Sequence, residues 1–211
     1  MRAGPLLLTK IEPPRIRPGH VPRGDLVERL RHGLHRRLNL VSAPAGWGKT
    51  SLLAEWLSVE DDVAFAWLSL DEEDNDPARF WAYVAAALRK AGVEVPQAFD
   101  AALGAPGTAA GEAALPILLN ALVTSRHEHV FVLDDYHVIR DPAIHDGVRF
   151  VLAHLPVVSH LVIATRAEPP VDVARLRARG ELGEIVSDQL GFSDAEAAAL
   201  LNDTLALALP A

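Results

Sequence analysis

Short apolar runs alternate with helical patterns along most of this chain. Runs that suit strands covered on both faces occur at Leu38–Ala43, Val63–Leu70, His129–Asp135 and His160–Arg166, with a possible fifth at Glu184–Ser187. Apolar residues recur with the period of a helix in Ser51–Leu57, Pro77–Arg89, Glu112–Ser125 and Ala143–Leu155. This alternation predicts an α/β fold, a mostly parallel sheet of about five strands sandwiched by helices.

The first part of the chain and one internal stretch depart from this alternation. Residues 1–22 contain five prolines, and because proline has no backbone N–H group we predict an extended lead-in without a regular element. A helical pattern begins at Gly24 and ends near Arg36–Arg37, where cations suit a helix C-terminus. The stretch Val95–Gly111 is rich in alanine, glycine and proline, which predicts a mobile surface loop.

The last part of the chain predicts one more helix. Ser193 and, three residues later, Glu196 form a capping box that opens an alanine-rich helix to about Asn202. The apolar tail after it has no partner element, as expected of a chain cut from something longer. We therefore divide the chain into a lead-in at 1–22, a main domain at 23–188, and the start of a truncated helical region at 189–211.

Composition and charge exclude several classes of protein. Half of the 211 residues are hydrophobic and 23% are charged, as in ordinary globular domains. The net charge of −8 argues against direct binding of nucleic acid. The absence of cysteine removes disulfides and thiolate metal sites and suits the cytoplasm, and no apolar run is long enough for a membrane helix. The acidic run Asp71–Asp76 lacks the glycine and the terminal glutamate of a calcium loop, so we expect a solvated helix entrance.

The segment Val41–Leu53, VSAPAGWGKTSLL, has the context of a phosphate-binding loop, because it follows a predicted buried strand and opens a predicted helix. Gly46 and Gly48 let the backbone approach a phosphate closely. The side chains that would act on the ligand are the Lys49 ammonium on the terminal phosphates, the Thr50 hydroxyl on magnesium and a donor from Ser51. Ala43 stands where the usual motif has glycine, which an alanine with negative φ tolerates.

A second set of polar residues follows two other predicted strands. Asp134 ends a buried run and would hold the magnesium shell, while Asp135 would orient or deprotonate an attacking water. Arg166 ends the next strand along the chain, at the edge where it could sense a terminal phosphate. A strand-end cap or turn residue for Asp135 and a surface salt bridge for Arg166 remain open alternatives.

These motifs stand in one order along nearly the whole chain, and the segments that carry them are Leu6–Leu30, Ser42–Leu57, Trp67–Leu88, Val130–Pro156, Leu161–Ile185 and Gln189–Leu200. Together they resemble the nucleotide-binding module of MalT-like, LuxR-type ATP-dependent transcriptional regulators, which belong to the STAND class of P-loop ATPases. The resemblance implies an ASCE/STAND-type P-loop NTPase fold with its ATPase domain at 23–188. It also accounts for Ala43, because the loop of that family commonly begins S-A-P-A-G.

The resemblance implies a set of site residues. ATP or ADP phosphates would lie on Gly46, Trp47, Gly48, Lys49, Thr50 and Ser51. Magnesium would be held by Thr50 and Asp134, hydrolysis would involve Asp135, and Arg166 would be the sensor. Arg23, in VPRGDL, matches a lead-in position near the base or the phosphates of the nucleotide.

The function implied is a regulatory switch that binds ATP, hydrolyses it slowly and self-associates in its ATP state as part of a longer protein. The helical-repeat sensor and the helix-turn-helix of the family have no counterpart in these 211 residues, so DNA would be contacted only through domains outside them. Two alternatives stay open. One is an ordinary P-loop ATPase or small-molecule kinase, and the other is a non-catalytic nucleotide-binding interaction module.

Overall fold

The strands form one parallel sheet. The computed structural model describes residues 5–61, 63–105, 111, 113–125 and 127–205. Within these ranges the sheet has five strands, β1 Leu38–Ser42, β2 Ala64–Ser69, β3 His129–Asp134, β4 Ser159–Thr165 and β5 Leu182–Val186, in the order β2-β3-β4-β1-β5. Every neighbouring pair is parallel. The α/β prediction is confirmed.

Burial on both faces explains the apolar composition of the strands. All seven residues of β4 are buried. Because side chains alternate across a strand, Leu161 and Ile163 enter the core on one face of the sheet, whereas Val162 and Ala164 enter the core on the other.

The described helices cover both faces of this sheet. They are α1 Gly24–His32, α2 Lys49–Ser58, α3 Pro77–Lys90, α4 Gln97–Leu103, α5 Ala114–Thr124, α6 Pro142–His154, α7 Val173–Ala178, α8 Ser187–Leu190 and α9 Asp194–Leu205. The starts of α3 and α6 follow the same rule, a capping aspartate, Asp76 or Asp141, before a proline at the first helical position. The capping box predicted at Ser193 is present, since its N–H donates to Glu196 Oε2 at 2.7 Å. No described helix is long and apolar enough to cross a membrane.

Two predictions about irregular segments are wrong in part. The lead-in contains a 3-10 turn at Leu8–Ile11, in a stretch between its prolines, and the turn buries Lys10 and Ile11. The stretch Val95–Gly111, predicted to be a loop, contains α4, because its alanines and leucine favour a helix and Phe99 anchors that helix fully buried in the core. Residues 106–110 of that stretch lie outside the described residues.

The acidic run after β2 is only partly exposed to solvent, because one of its carboxylates is buried in an ion pair. Asp74 is fully buried and forms an ion pair with Lys10, which is itself 8% exposed. Asp71 caps the 3-10 turn Glu72–Asn75 and lies 2.9 Å from the Lys10 ammonium. The expectation of a solvated helix entrance is therefore wrong for Asp74, because a lysine sixty-four positions earlier in the chain neutralises it.

Replacing Lys10 tests this ion pair. In Lys10→Met the Asp74 carboxylate stays buried without its ammonium partner, so we expect the free energy of unfolding to fall by about 3 kcal/mol. Lys90→Met is the control, because Lys90 pairs with Glu12 at the surface and exposed pairs contribute about 0–1 kcal/mol. Urea denaturation measures both losses, and equal losses would contradict this account of the lead-in.

Candidate functional site

The carboxyl edge of the sheet brings the predicted site residues together. Strand β4 lies between β1 and β3, and Thr165 pairs with Ser42 in the parallel register. The loop after β1, the carboxylates at the end of β3 and Arg166 after β4 therefore meet at one edge. These are the three positions that the sequence patterns single out.

The loop between β1 and α2 has the backbone of an anion-binding turn. Gly46 and Gly48 have φ of 82° and 78°, which only glycine adopts easily, and a Cβ at either position would meet no protein atom within 4 Å. Within the described part of the chain, the N–H groups of these two glycines have no hydrogen-bond partner. The N-terminus of α2 adds its own free N–H groups to the same place. The loop therefore fits a phosphate.

Lys49 folds back over this loop. Its ammonium donates to the carbonyl oxygens of Ala43 at 2.8 Å and Pro44 at 3.0 Å, and the residue is only 6% exposed. Burial lowers the pKa of Lys49, and the positive Arg166 lowers it further, while Asp135 and Asp134 oppose the shift. A buried cation whose partners are neutral carbonyls is suited to an anionic ligand.

Thr50 and Asp134 are joined across the sheet edge. The Thr50 hydroxyl lies 2.9 Å and 3.1 Å from the two carboxylate oxygens of Asp134. Burial, reinforced by the neighbouring charge of Asp135, raises the pKa of Asp134 to about 6, against the bonds from Thr50 and the Asp135 N–H and the charge of Lys49. A hydroxyl and a buried carboxylate are hard oxygen ligands, so this pair fits a magnesium ion.

Asp135 and Arg166 face the same space. Asp135 adopts the left-handed backbone conformation, with φ 59°, and its side chain is 44% exposed. Arg166 is exposed at the end of β4, and its charge acts on Lys49 and His137. Burial, followed by Arg166, lowers the pKa of His137, whose Nδ1 lies 3.7 Å from Asp135 Oδ1.

The loop, Lys49, Thr50, Asp135 and Arg166 line one cavity of about 960 Å³. Its floor is the loop with Lys49, Thr50 and Ser51, and Asp135 and Arg166 stand at one side. Its other walls come from opposite ends of the chain, namely the lead-in from Pro14 to Val21 with Arg23, and the C-terminal residues Leu190, Gly191, Phe192 and Leu200. Trp47, 40% exposed at the mouth, lies against the backbone at Gly191.

Arg23 joins these two walls. Its guanidinium donates to the carbonyl oxygens of Leu190 at 2.9 Å and Gly191 at 3.1 Å, and its Nε lies 2.9 Å from Glu196. It also lies over the ring of Phe192, 5.0 Å from the centroid. Arg23 lines the cavity, and its donors bind the C-terminal segment, while its predicted place near the nucleotide stays a prediction.

Glu55 is a site residue that the sequence analysis missed. It is 7% exposed on α2, accepts the backbone N–H of Arg23 at 2.8 Å and lies 2.8 Å from Nε2 of His20. It therefore holds the lead-in against the helix that follows the loop. The available signal was a carboxylate between Leu52 and Trp56, on the buried face of an apolar helix.

The fold is that of P-loop ATPases. A STAND protein from Pyrococcus horikoshii, described as a signal transduction ATPase with a tetratricopeptide repeat sensor, matches 95% of this chain and 27% of its own at a TM-score of 0.60 and 12% identity. Cdc6p from Pyrobaculum aerophilum matches 89% of this chain and 52% of its own at a TM-score of 0.57 and 15% identity. At these identities the likeness concerns the fold alone.

The sequence is similar to that of MalT regulators. The HTH-type transcriptional regulator MalT of Klebsiella pneumoniae is 37% identical over 84% of this chain and 19% of its own length, and that of Serratia proteamaculans is 37% identical over 91% and 21%. No family model matches the chain. The chain is thus a homologue of MalT-type transcriptional regulators over most of its length, and it spans about a fifth of the relatives it matches.

The raised pKa of Asp134 predicts a pH-dependent stability. Between about pH 4 and pH 6 the folded protein holds a proton that the unfolded chain has released, so ionisation of Asp134 costs stability as the pH rises through this range. Asp134→Asn removes that cost. Without magnesium, we expect the variant to gain roughly 2 kcal/mol relative to wild type between pH 4 and pH 7.5.

Urea denaturation of wild type and Asp134→Asn across this pH range checks the prediction. Other titrating groups cancel in the difference between the two proteins, provided that Asp135 responds alike in both. A difference that does not change with pH would mean that Asp134 ionises normally in the fold.

Proposed function

We propose that this chain is an ATP- and ADP-binding switch module of a MalT-type transcriptional regulator, with magnesium as its metal. One observation carries the proposal. The loop with free N–H groups, the buried Lys49 and Thr50 line one cavity, and the Thr50 hydroxyl is bonded to the buried Asp134 carboxylate. Each of these parts fits a different portion of a magnesium–triphosphate group.

The residues divide into phosphate and metal ligands. The backbone from Gly46 to Ser51, including Trp47, would hold the phosphates, and the Lys49 ammonium would exchange its carbonyl partners for phosphate oxygens. Thr50 and Asp134 would hold magnesium, which would neutralise phosphate charge when bound. Arg23 would act on the nucleotide through the wall that it holds together.

Hydrolysis would depend on Asp135 and Arg166. The Asp135 carboxylate is exposed to the cavity, so it would accept a hydrogen bond or a proton from a water beside the terminal phosphate. Arg166 would stabilise the charge that develops there. Within the described residues Arg166 has no hydrogen bond or ion pair, so its guanidinium is available for this role.

A switch requires that its two nucleotide states be bound differently by two conformations. The C-terminal wall of the cavity supports this proposal, because Phe192 lies just before α9 and Leu200 lies within it. A change in the nucleotide would thus act on the part of the chain that leaves the ATPase core. We further propose that the ATP state self-associates, that DNA is bound by other parts of a longer protein, and that the protein acts in the cytoplasm.

Two variants separate binding from hydrolysis. Lys49→Ala removes the cation at the floor of the cavity, so we expect it to weaken ATP binding by roughly 100-fold or more, measured by calorimetry with magnesium. Lys90→Ala, at the surface, should bind as wild type does. Asp135→Asn should retain ATP affinity and lose roughly 100-fold or more of the rate of phosphate release.

The same experiment distinguishes the alternatives. Unchanged ATP affinity in Lys49→Ala would show that the site is assigned wrongly. ATP binding with no turnover in wild type and in Asp135→Asn alike would favour a non-catalytic interaction module. Transfer of phosphate to a small molecule rather than to water would favour a kinase and contradict the switch.

A further inference from the structure

The segment after Asp135 is held at three places. At its start, the Asp135 N–H donates to Asp134 Oδ1 at 3.1 Å. In its middle, the hydroxyl of buried Tyr136 lies 2.8 Å from Nδ1 of His145. At its end, the side chain of Asn75 binds three backbone groups of residues 138–141.

Asn75 uses its whole amide group at this place. Its Nδ2 donates to the carbonyl of Val138 at 2.9 Å, and its Oδ1 accepts the N–H groups of Arg140 at 2.6 Å and Asp141 at 3.2 Å. The second proton of Nδ2 goes to the carbonyl of Glu72 at 3.0 Å. Among side chains of this length only an amide supplies two donors and two acceptor positions together, so aspartate and alanine lack what this junction requires.

The 3-10 turn that carries Asn75 is rigidly placed in the fold. Asn75 ends the 3-10 turn that Asp71 caps, and its neighbour Asp74 is fully buried between Lys10 and Arg79. This turn follows β2, whose last residue pairs with Asp134 at the sheet edge. Asn75 therefore connects the turn Glu72–Asn75 to the segment that follows Asp134 and Asp135.

The connection reaches Asp135 through one short turn. The N–H of Val138 donates to the carbonyl of Asp135 at 3.1 Å, and the carbonyl of the same Val138 is the one that Asn75 holds. Asp135 has φ 59° and ψ 35°, a left-handed conformation that aspartate adopts more often than most other residues with a side chain, and its N–H and carbonyl bonds hold it there.

We propose that Asn75 is a positioning residue for Asp135. By holding the Val138 carbonyl it fixes the turn Tyr136–Val138, and the turn keeps the Asp135 carboxylate toward the cavity. Asn75 is not among the residues that line the cavity. This inference rests on the proposed function, in that it assigns Asn75 to the hydrolytic step. The expected consequence is a loss of turnover without a loss of nucleotide affinity.

A double-mutant cycle tests this assignment. We expect Asn75→Ala to lower the rate of phosphate release roughly tenfold or more, because small displacements of a catalytic group have effects of this size. The Kd for ATP should stay within about twofold. In an Asp135→Asn background the same change should have almost no further effect, because the group that Asn75 positions is already gone. Asn120→Ala, at an exposed asparagine on α5, is the matched control.

Hydrogen exchange supplies a readout independent of turnover. The amide protons of Arg140 and Asp141 should lose protection in Asn75→Ala and keep it in Asn120→Ala. If thermal unfolding shows that Asn75→Ala does not fold, Asn75→Asp takes its place in the cycle, since it keeps the side-chain volume and removes both donors.

The outcomes are distinct. Equal losses of turnover in both backgrounds, an unchanged rate in Asn75→Ala, or a parallel loss of ATP affinity would overturn the positioning role while leaving the proposed function intact. A wild-type chain that binds ATP and releases no phosphate would overturn the hydrolytic part of the proposed function and the positioning role with it.

Discussion

The hydrogen bond between Thr50 and Asp134 is the interaction on which the site depends. It joins the helix after the phosphate loop to the end of a strand that is not the neighbour of β1, because β4 lies between them. The bond forms only if β1, β4 and β3 are parallel and in register, so that their carboxyl ends meet. The candidate metal site therefore depends directly on the order of the strands in the sheet.

The cavity above this bond is closed by both ends of the described chain. Glu55 fixes the lead-in to α2, and Arg23 fixes the C-terminal segment to the lead-in. Three parts that are far apart in sequence thus share two anchoring side chains. A ligand in this cavity would therefore lie beside the segment that enters α9, as the proposed switch requires.

Local patterns were sufficient to predict the sheet, most helices and the position of the glycine-containing loop between β1 and α2, because the strand and helix periods are properties of neighbouring residues. The prediction failed at Asp74, whose partner Lys10 lies far away in sequence, and at α4, where Phe99 supplies an anchor that a loop-like composition concealed. The sequence assigned Arg23 to the nucleotide, but it gave no sign that the guanidinium binds the carbonyl groups of Leu190 and Gly191 in the fold. Contacts of this kind depend on tertiary structure rather than on spacing.

The most direct test of the account is the magnesium dependence of ATP binding in wild type and in Thr50→Val. The change keeps the branching of the side chain and removes the hydroxyl, so it removes both the proposed metal ligand and the hydrogen bond to Asp134. Calorimetry should show that magnesium tightens ATP binding in wild type and has little effect in Thr50→Val. An equal magnesium effect in both proteins would contradict the claim that Thr50 and Asp134 form the metal site.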